Sequence, residues 1–269
     1  METVTSRRNA LVARFRSAVG TNRRSRTHLL LDGRRLIADA RRGGAAVETV
    51  VVSAPAIRRE DPALVALVTD CARDGIDVVA GSERVMAAVS RLRSPSTAVA
   101  LARHLPPTQD EVLARARCGC LLALLGVQDP GNVGAIVRAA DAAGAGGVLV
   151  GAGAADPFGW KALRGAMGST FRLPVSDAGE PHVLAERARR TGCRVLATAP
   201  RGGRSMYDLD LTEPVLILIG GEGAGVESPT LGSADAIVSI PMAGGVESLN
   251  AAAAAALIAY EARRQRTTA

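Results

Sequence analysis

Ile217-Leu-Ile-Gly220-Gly221-Glu222-Gly223-Ala-Gly225, then Ser239-Ile-Pro241-Met242-Ala-Gly244-Gly245-Val-Glu247-Ser248-Leu249-Asn250, then an alanine-rich run: this stretch organises the chain. Each glycine-rich loop follows an apolar β-type run, Pro214–Ile219 and Ala236–Ile240. The second loop ends in Ser248 and Asn250, residue types whose side-chain oxygens cap a helix. Adjacent glycine loops at strand ends build a backbone-lined pocket, because glycine lets the main chain approach a ligand closely. Glu222 sits among those glycines, where a lone carboxylate suits binding or acid–base work. Glu247, Ser248 and Asn250 crowd the second loop.

Working outward, strand–helix alternation from Cys118 to Arg264 indicates a mostly parallel α/β sheet. Strands are expected at Cys118–Gly126, Gly147–Val150, Phe171–Val175 and Arg194–Ala199. Helices are expected at Ile136–Ala143, Lys161–Met167, Pro181–Thr191 and Leu249–Arg264. Upstream, Leu29–Leu31, Val47–Ser53, Asp77–Val79 and Ala98–Ala102 read as strands. Arg34–Arg42, Pro62–Asp74 and Glu83–Leu92 read as helices, as does 7–19, with Leu11, Phe15 and Val19 at i, i+4, i+8. Pro106-Pro107 breaks the pattern. The chain divides into an N-terminal unit, 1–106, a linker with a helix at Asp110–Arg117, 107–117, and a C-terminal unit, 118–269.

Composition narrows the function. At 269 residues, 48% of them hydrophobic, the chain carries a real core. No uninterrupted apolar run reads as a transmembrane span, and Met1–Arg26 lacks the apolar segment of a secretory signal. The four cysteines are scattered without a C-x-x-C pair and read as buried thiols, not a zinc site. Net charge is +7, and Lys161 is the one lysine. Residues 1–42 hold eleven arginines against Glu2, Asp32 and Asp39. Such a basic arm, which includes Arg23, Arg24, Arg26 and Arg34, fits a polyphosphate partner, or else a solvated tail. With aromatics at 2%, an RNA would be held through phosphates, arginine planes and shape.

Two upstream motifs complete the set. Gln128-Asp129-Pro130-Gly131-Asn132-Val133-Gly134-Ala135-Ile136-Val137-Arg138 follows a strand and opens a helix, whose free N–H groups favour an anion. Arg138 is the sole cation of that apolar helix. It either clamps a phosphate bidentately or reaches to solvent. Gly131-x-x-Gly134 lacks the start of a dinucleotide fingerprint. In Lys161-Ala-Leu-Arg164-Gly165-Ala-Met-Gly168-Ser169, Arg164 is a second candidate phosphate contact. His28, His104 and His182 lie outside these motifs, so no histidine triad is expected, and Ser248 lacks a nucleophile-elbow context.

Taken together, Asn132-x-Gly134 with Arg138 and Ala140, Ile219-Gly220-x-Glu222-Gly223-x-Gly225, and Ile240-Pro241-Met242-x6-Leu249-Asn250 closely resemble the SpoU/TrmH-type RNA 2′-O-ribose methyltransferases of the SPOUT class. Three motifs in order span residues 119–265. Leu29-Leu-Leu-Asp32-Gly33-Arg34-Arg35-Leu36 resembles the opening of the family's ribosomal-protein-like substrate-binding domain, with Asp32 where members usually carry Glu. The resemblance implies methyl transfer from S-adenosylmethionine to a ribose 2′-hydroxyl, without a metal. It implies a C-terminal SPOUT domain with a parallel sheet and a deep trefoil knot, preceded by a small α/β substrate-binding domain. It also implies a cytoplasmic homodimer with the site completed across the interface. Carried over by position, the cofactor lies on Gly220, Ile240 and Leu249, with Thr198 and Met242 beside it. Arg138 is the catalytic arginine, Asn132 orients it or the ribose, Glu222, Ser248 and Asn250 complete the site, and Arg164 binds RNA. Large-subunit ribosomal RNA is the expected substrate, for housekeeping or for antibiotic resistance. The alternatives are a transfer-RNA ribose methyltransferase, a small-molecule methyltransferase, and a catalytically silent RNA-binding protein on the same scaffold.

Overall fold

The computed structural model describes residues 1–20 and 26–268. The chain forms two compact units, one of residues 1–105 with 158–164, the other of 106–157 and 165–269.

In the first unit, β1 (Thr3–Val4), α1 (Ala10–Gly20), β2 (His28–Asp32), α2 (Arg34–Arg42), β3 (Val47–Ser53), α3 (Ala54–Arg58), α4 (Pro62–Arg73), β4 (Asp77–Gly81), α5 (Glu83–Val89) and β5 (Ala98–Arg103) follow in order. The sheet runs β1-β4-β3-β5-β2. It is mixed: β4 pairs parallel with β1 and β3, while β5 pairs antiparallel with β2 and β3. Phe15 and Val12 of α1 are buried with Leu30, Val51, Val99 and Leu101, so the N-terminal helix belongs to this core. Asp61 caps α4, accepting from the N–H groups of Ala63 at 3.1 Å and Leu64 at 3.3 Å. α5 stops at Val89, short of the expected Leu92, because Ser90 turns inward. Its Oγ donates to buried Asp32 at 3.0 Å, and Arg91 N–H donates to the same carboxylate at 2.6 Å. The two-residue β1 and the short α3 carry no periodicity and were not expected from sequence.

The second unit contains α6 (Gln109–Leu113), β6 (Leu121–Leu125), α7 (Pro130–Ala142), β7 (Gly147–Val150), the end of α8 (Trp160–Ala166), β8 (Val175–Asp177), α9 (Pro181–Arg190), β9 (Arg194–Thr198), β10 (Arg204–Ser205), β11 (Val215–Gly220), α10 (Ser228–Gly232), β12 (Ala236–Ser239) and α11 (Ala251–Thr268). Its sheet is parallel throughout, in the order β10-β12-β9-β11-β6-β7-β8. All five residues of β6 are buried, as a strand covered on both faces requires. α11 packs along α7.

Four expectations shift. Val112, Leu113 and Ala116, from the stretch read as a linker, are buried in this unit's core. α7 begins at Pro130, six residues before the expected Ile136, because Asp129 caps it by accepting from Asn132 N–H at 2.8 Å, and proline suits the first turn. Phe171–Val175 is not a strand: Ser169–Phe171 forms a 3-10 turn, and β8 starts at Val175. β6 begins at Leu121 rather than Cys118, because Ala114–Arg117 is a 3-10 turn that delivers the chain to it.

Candidate functional site

In open α/β sheets a ligand crevice forms beyond the carboxyl ends of strands where the strand order reverses. Here β9 lies between β11 and β12, so the chain leaves β9, adds β11 on one side and returns to add β12 on the other. A cavity of about 280 Å3 opens at the ends of these three strands.

The first loop leaves β11 through Gly220 and Gly221. A Cβ on Gly220 would stand 2.1 Å from the Gly225 carbonyl carbon, and one on Gly221 would stand 2.0 Å from the Gly126 carbonyl oxygen. Neither position admits a side chain, so the glycines are imposed by the backbone packing around them. Gly225 N–H closes the loop on Gly221 O at 3.0 Å. This turn holds Glu222 exposed at the cavity rim.

The second loop follows β12. Ser239 Oγ donates to Ala199 O at 2.8 Å and accepts from Gly203 N–H at 3.0 Å. Arg201 donates to Val246 O at 3.3 Å. The loop ends at Asn250, whose Oδ1 accepts from Ala252 N–H at 2.9 Å and Ala253 N–H at 3.3 Å, opening α11.

Asn132 joins the two loops. Its Nδ2 donates to Glu222 Oε1, and its Oδ1 accepts from Asn250 Nδ2 at 3.2 Å. Residues 90 and 118 positions apart in sequence thus meet on one amide.

Thr198, Gly220, Ile240, Met242 and Leu249 all line the cavity, as do Glu222, Ser248 and Asn250. Thr198 Oγ1 is spent on Leu218 O at 3.0 Å. The wall that sequence reasoning missed is the start of α11: Ala251, Ala254 and Ile258. Their i, i+3, i+7 spacing is a readable helical stripe.

Arg138 is not brought to the cavity. It lies six residues after Asn132, about 240° around α7. It is exposed, and its side chain has no partner among the described residues. Arg164, on α8, is exposed, its guanidinium carbon 5.9 Å from the Trp160 ring centre. Arg34 has a structural partner: its Nη1 reaches both Asp61 oxygens at 2.7 Å. Arg26 is half-buried, and Arg23 and Arg24 lie outside the described residues.

The cysteines are free, with Cys118 exposed and the other three buried. Burial pushes the Cys120 thiol up to about 11 and raises Cys71 and Cys193. Among the described residues, no cluster of histidine, cysteine and carboxylate side chains could hold a metal ion. No helix among them is long and apolar enough to cross a membrane.

The chain matches the SpoU rRNA Methylase family over residues 119–260 and the MRM3-like substrate binding domain over residues 20–100. It is 32% identical over 264 residues to the 23S rRNA (guanosine(2553)-2'-O)-methyltransferase RlmP of Bacillus subtilis, covering 98% of this chain and 100% of that one. The SpoU methyltransferase AviRb of Streptomyces viridochromogenes, solved in complex with AdoMet, superposes with a TM-score of 0.84 at 32% identity, over 97% of this chain and 99% of the other. An AdoMet-bound rRNA methyltransferase from Sinorhizobium meliloti gives a TM-score of 0.81 at 29% identity, over 98% and 97%. Fold, cavity and likeness define a SpoU-type methyltransferase. The chain belongs to the SpoU rRNA methylase family.

Proposed function

We propose that this protein transfers a methyl group from S-adenosylmethionine to a ribose 2′-hydroxyl of large-subunit ribosomal RNA. The observation that carries this reading is the Asn132 amide, which binds Glu222 and Asn250 together at the rim of the glycine-walled cavity. The cavity fits a nucleoside-sized ligand: it is apolar at Ile240, Leu249 and Ile258, and glycine backbone is open to it at Gly220 and Gly221. Backbone groups of Gly220, Ile240 and Leu249 hold the cofactor, with Thr198 and Met242 against it. The bound cofactor supplies an activated methyl on a sulfonium, so alignment of the attacking oxygen carries much of the rate. The hydroxyl oxygen gains the methyl carbon, the carbon–sulfur bond breaks, and the hydroxyl proton leaves to water through the exposed rim of Glu222, Ser248 and Asn250.

Arg138 holds the phosphate beside the target ribose and polarises its hydroxyl. Arginine stays protonated, so it acts as a cation rather than a base. In this reading Arg138 serves the cavity of a second copy, since it stands about 240° from Asn132 on its own helix. The exposed Leu257 and Tyr260 of α11 support a homodimer. A deep trefoil knot accounts for the tight seating of Gly221 on Gly126 and for the Arg201–Val246 bond, as a rare exception to unknotted connections. Residues 1–106 form the RNA-binding domain, 118–269 the catalytic one, and Arg164 is an RNA contact. A ribosomal RNA substrate supports a cytoplasmic location.

The test is a map of 2′-O-methyl groups in ribosomal and transfer RNA with and without the gene. Loss of one large-subunit methyl group is expected. A change confined to transfer RNA would move the substrate, and no change with no cofactor binding by calorimetry would leave a silent RNA-binding protein.

A further inference from the structure

The segment before the matched substrate-binding domain builds a second cleft. Met1–Val19 precedes that match, yet it is folded onto the first unit. β1 adds an edge strand beside β4, and Val12 and Phe15 are buried beneath α1. Between α1 and the end of α5 lies a cavity of about 580 Å3, lined by Arg7, Phe15, Arg16, the last turn of α5, Ser90 and Arg91.

Among the described residues, three arginines and no carboxylate line this cleft. Arg7 Nε donates to the Arg84 carbonyl at 3.1 Å, which sets that guanidinium against α5. The side chains of Arg16 and Arg91 have no partner among the described residues. Asp32, tied to the same turn, is buried and already accepts from Ser90 and Arg91 N–H. The turn carrying Arg91 is therefore held in place while its charge is left uncompensated. Other arginines of the unit are either paired, as Arg41 is with Asp70 and Asp74 and Arg103 with Glu48, or stand singly on the surface, as Arg35, Arg58 and Arg59 do; in the cleft three converge on one cavity. Uncompensated guanidinium forks around a cleft match the geometry of phosphate oxygens.

We propose that Arg7, Arg16 and Arg91 form a phosphate-binding cleft for the backbone of the substrate RNA, separate from the methyl-transfer cavity. This rests on the ribosomal RNA reading above. It assigns a binding role to the N-terminal segment, which contributes two of the three arginines.

The test uses the full chain with protein-free large-subunit rRNA from cells lacking the gene. Arg16→Ala/Arg91→Ala is compared with Arg59→Ala, which removes an exposed charge outside the cleft lining. The double variant should raise the KM for RNA about tenfold or more, leave kcat at saturating RNA and the Kd for S-adenosylmethionine unchanged, and lower the slope of log affinity against log salt by about 2. Arg16→Lys/Arg91→Lys should recover the salt slope but only part of the affinity, since lysine lacks the fork. An unchanged KM and slope, or changes no larger than those of Arg59→Ala, overturn the proposal. Direct RNA retention on filters reads the cleft even where methyl transfer is absent, so failure of the methyltransferase reading is seen separately. Competition by millimolar inorganic phosphate at constant ionic strength, with RNA retention unaltered in the double variant, would mark a free-anion site and also overturn it.

Discussion

In the second unit the cavity at the strand ends is walled by glycine backbone and apolar side chains, and Glu222 is the one charged residue in its lining among those described. In the first unit the cleft beside α5 is lined, among the described residues, by three arginines and no carboxylate. The first kind of site selects by shape and main-chain hydrogen bonds, so salt hardly touches it. The second works by charge, and its affinity falls with salt through counterion release. The proposed function thereby divides the labour: the second unit recognises a small methyl donor, and the first supplies affinity for a long polyanion. Arg138 stands apart, a charged residue of the second unit exposed to solvent, its side chain without a partner among the described residues.

That contrast can be broken by substitution. The largest effect is expected at Arg138. Arg138→Ala should cut kcat to about a hundredth to a thousandth of its value while leaving the cofactor Kd within about twofold. Loss of cofactor binding, by calorimetry, would show that the arginine belongs to the donor half. Mixing Arg138→Ala with an inactive Asn132→Ala chain should restore part of the activity if the arginine crosses between copies.

Next is Gly221→Ala, which drives a methyl group to 2.0 Å from the Gly126 carbonyl. We expect a loss of about 1–3 kcal/mol in denaturant stability of the second unit and a matching loss of cofactor affinity. Stability and affinity both at wild-type values would show that the loop can move aside.

Asp32→Ala should lower the stability of the first unit by about 1–3 kcal/mol, because the part-buried Ser90 hydroxyl and Arg91 N–H lose their buried acceptor. It should also raise the RNA KM without altering the cofactor Kd. An altered cofactor Kd would dissolve the division of labour.

The smallest effect concerns pH. The Arg103 hydrogen bond, with His28 beside it, holds the Glu48 carboxyl below its ordinary value of 4.5. A depressed carboxylate value contributes stability that is full above the ordinary value and is lost as pH falls through the folded one. Glu48→Gln should therefore flatten the fall in Tm below about pH 4.5, with little change at pH 7. An unchanged acid limb would remove Glu48 from the acid sensitivity.

How much of this was legible in the chain varies with its physical origin. α2, β3 and β7 follow the sequence boundaries to the residue, because apolar periodicity and glycine stops act locally. All five residues read as cofactor contacts line one cavity, since loops after parallel strands must open at the same end of the sheet. The pairing of Arg34 with Asp61, 27 residues away, was not legible, because nothing local announces it. Phe171–Val175 misled because a short apolar run suits a strand or a 3-10 turn equally, and the turn at Ser169 decides. The basic cleft escaped for a different reason. Arg7 and Arg16 were counted in the basic arm and Arg91 was not singled out, whereas α1 and the Ser90 turn come together only after Phe15 is buried.

The sequence by itself determined the alternation of strands and helices, the two glycine loops and the family motifs, because these depend on backbone freedom and on side-chain periodicity over a few residues. Only the tertiary structure decided that Asn132 would tie Glu222 to Asn250, that α11 would wall the cavity, and that Arg138 would face away from it. Those outcomes depend on strand order and on the rotation of a helix about its axis. Both are set by packing among residues more than 100 positions apart, such as Asn132 and Asn250, 118 apart, which no local pattern records.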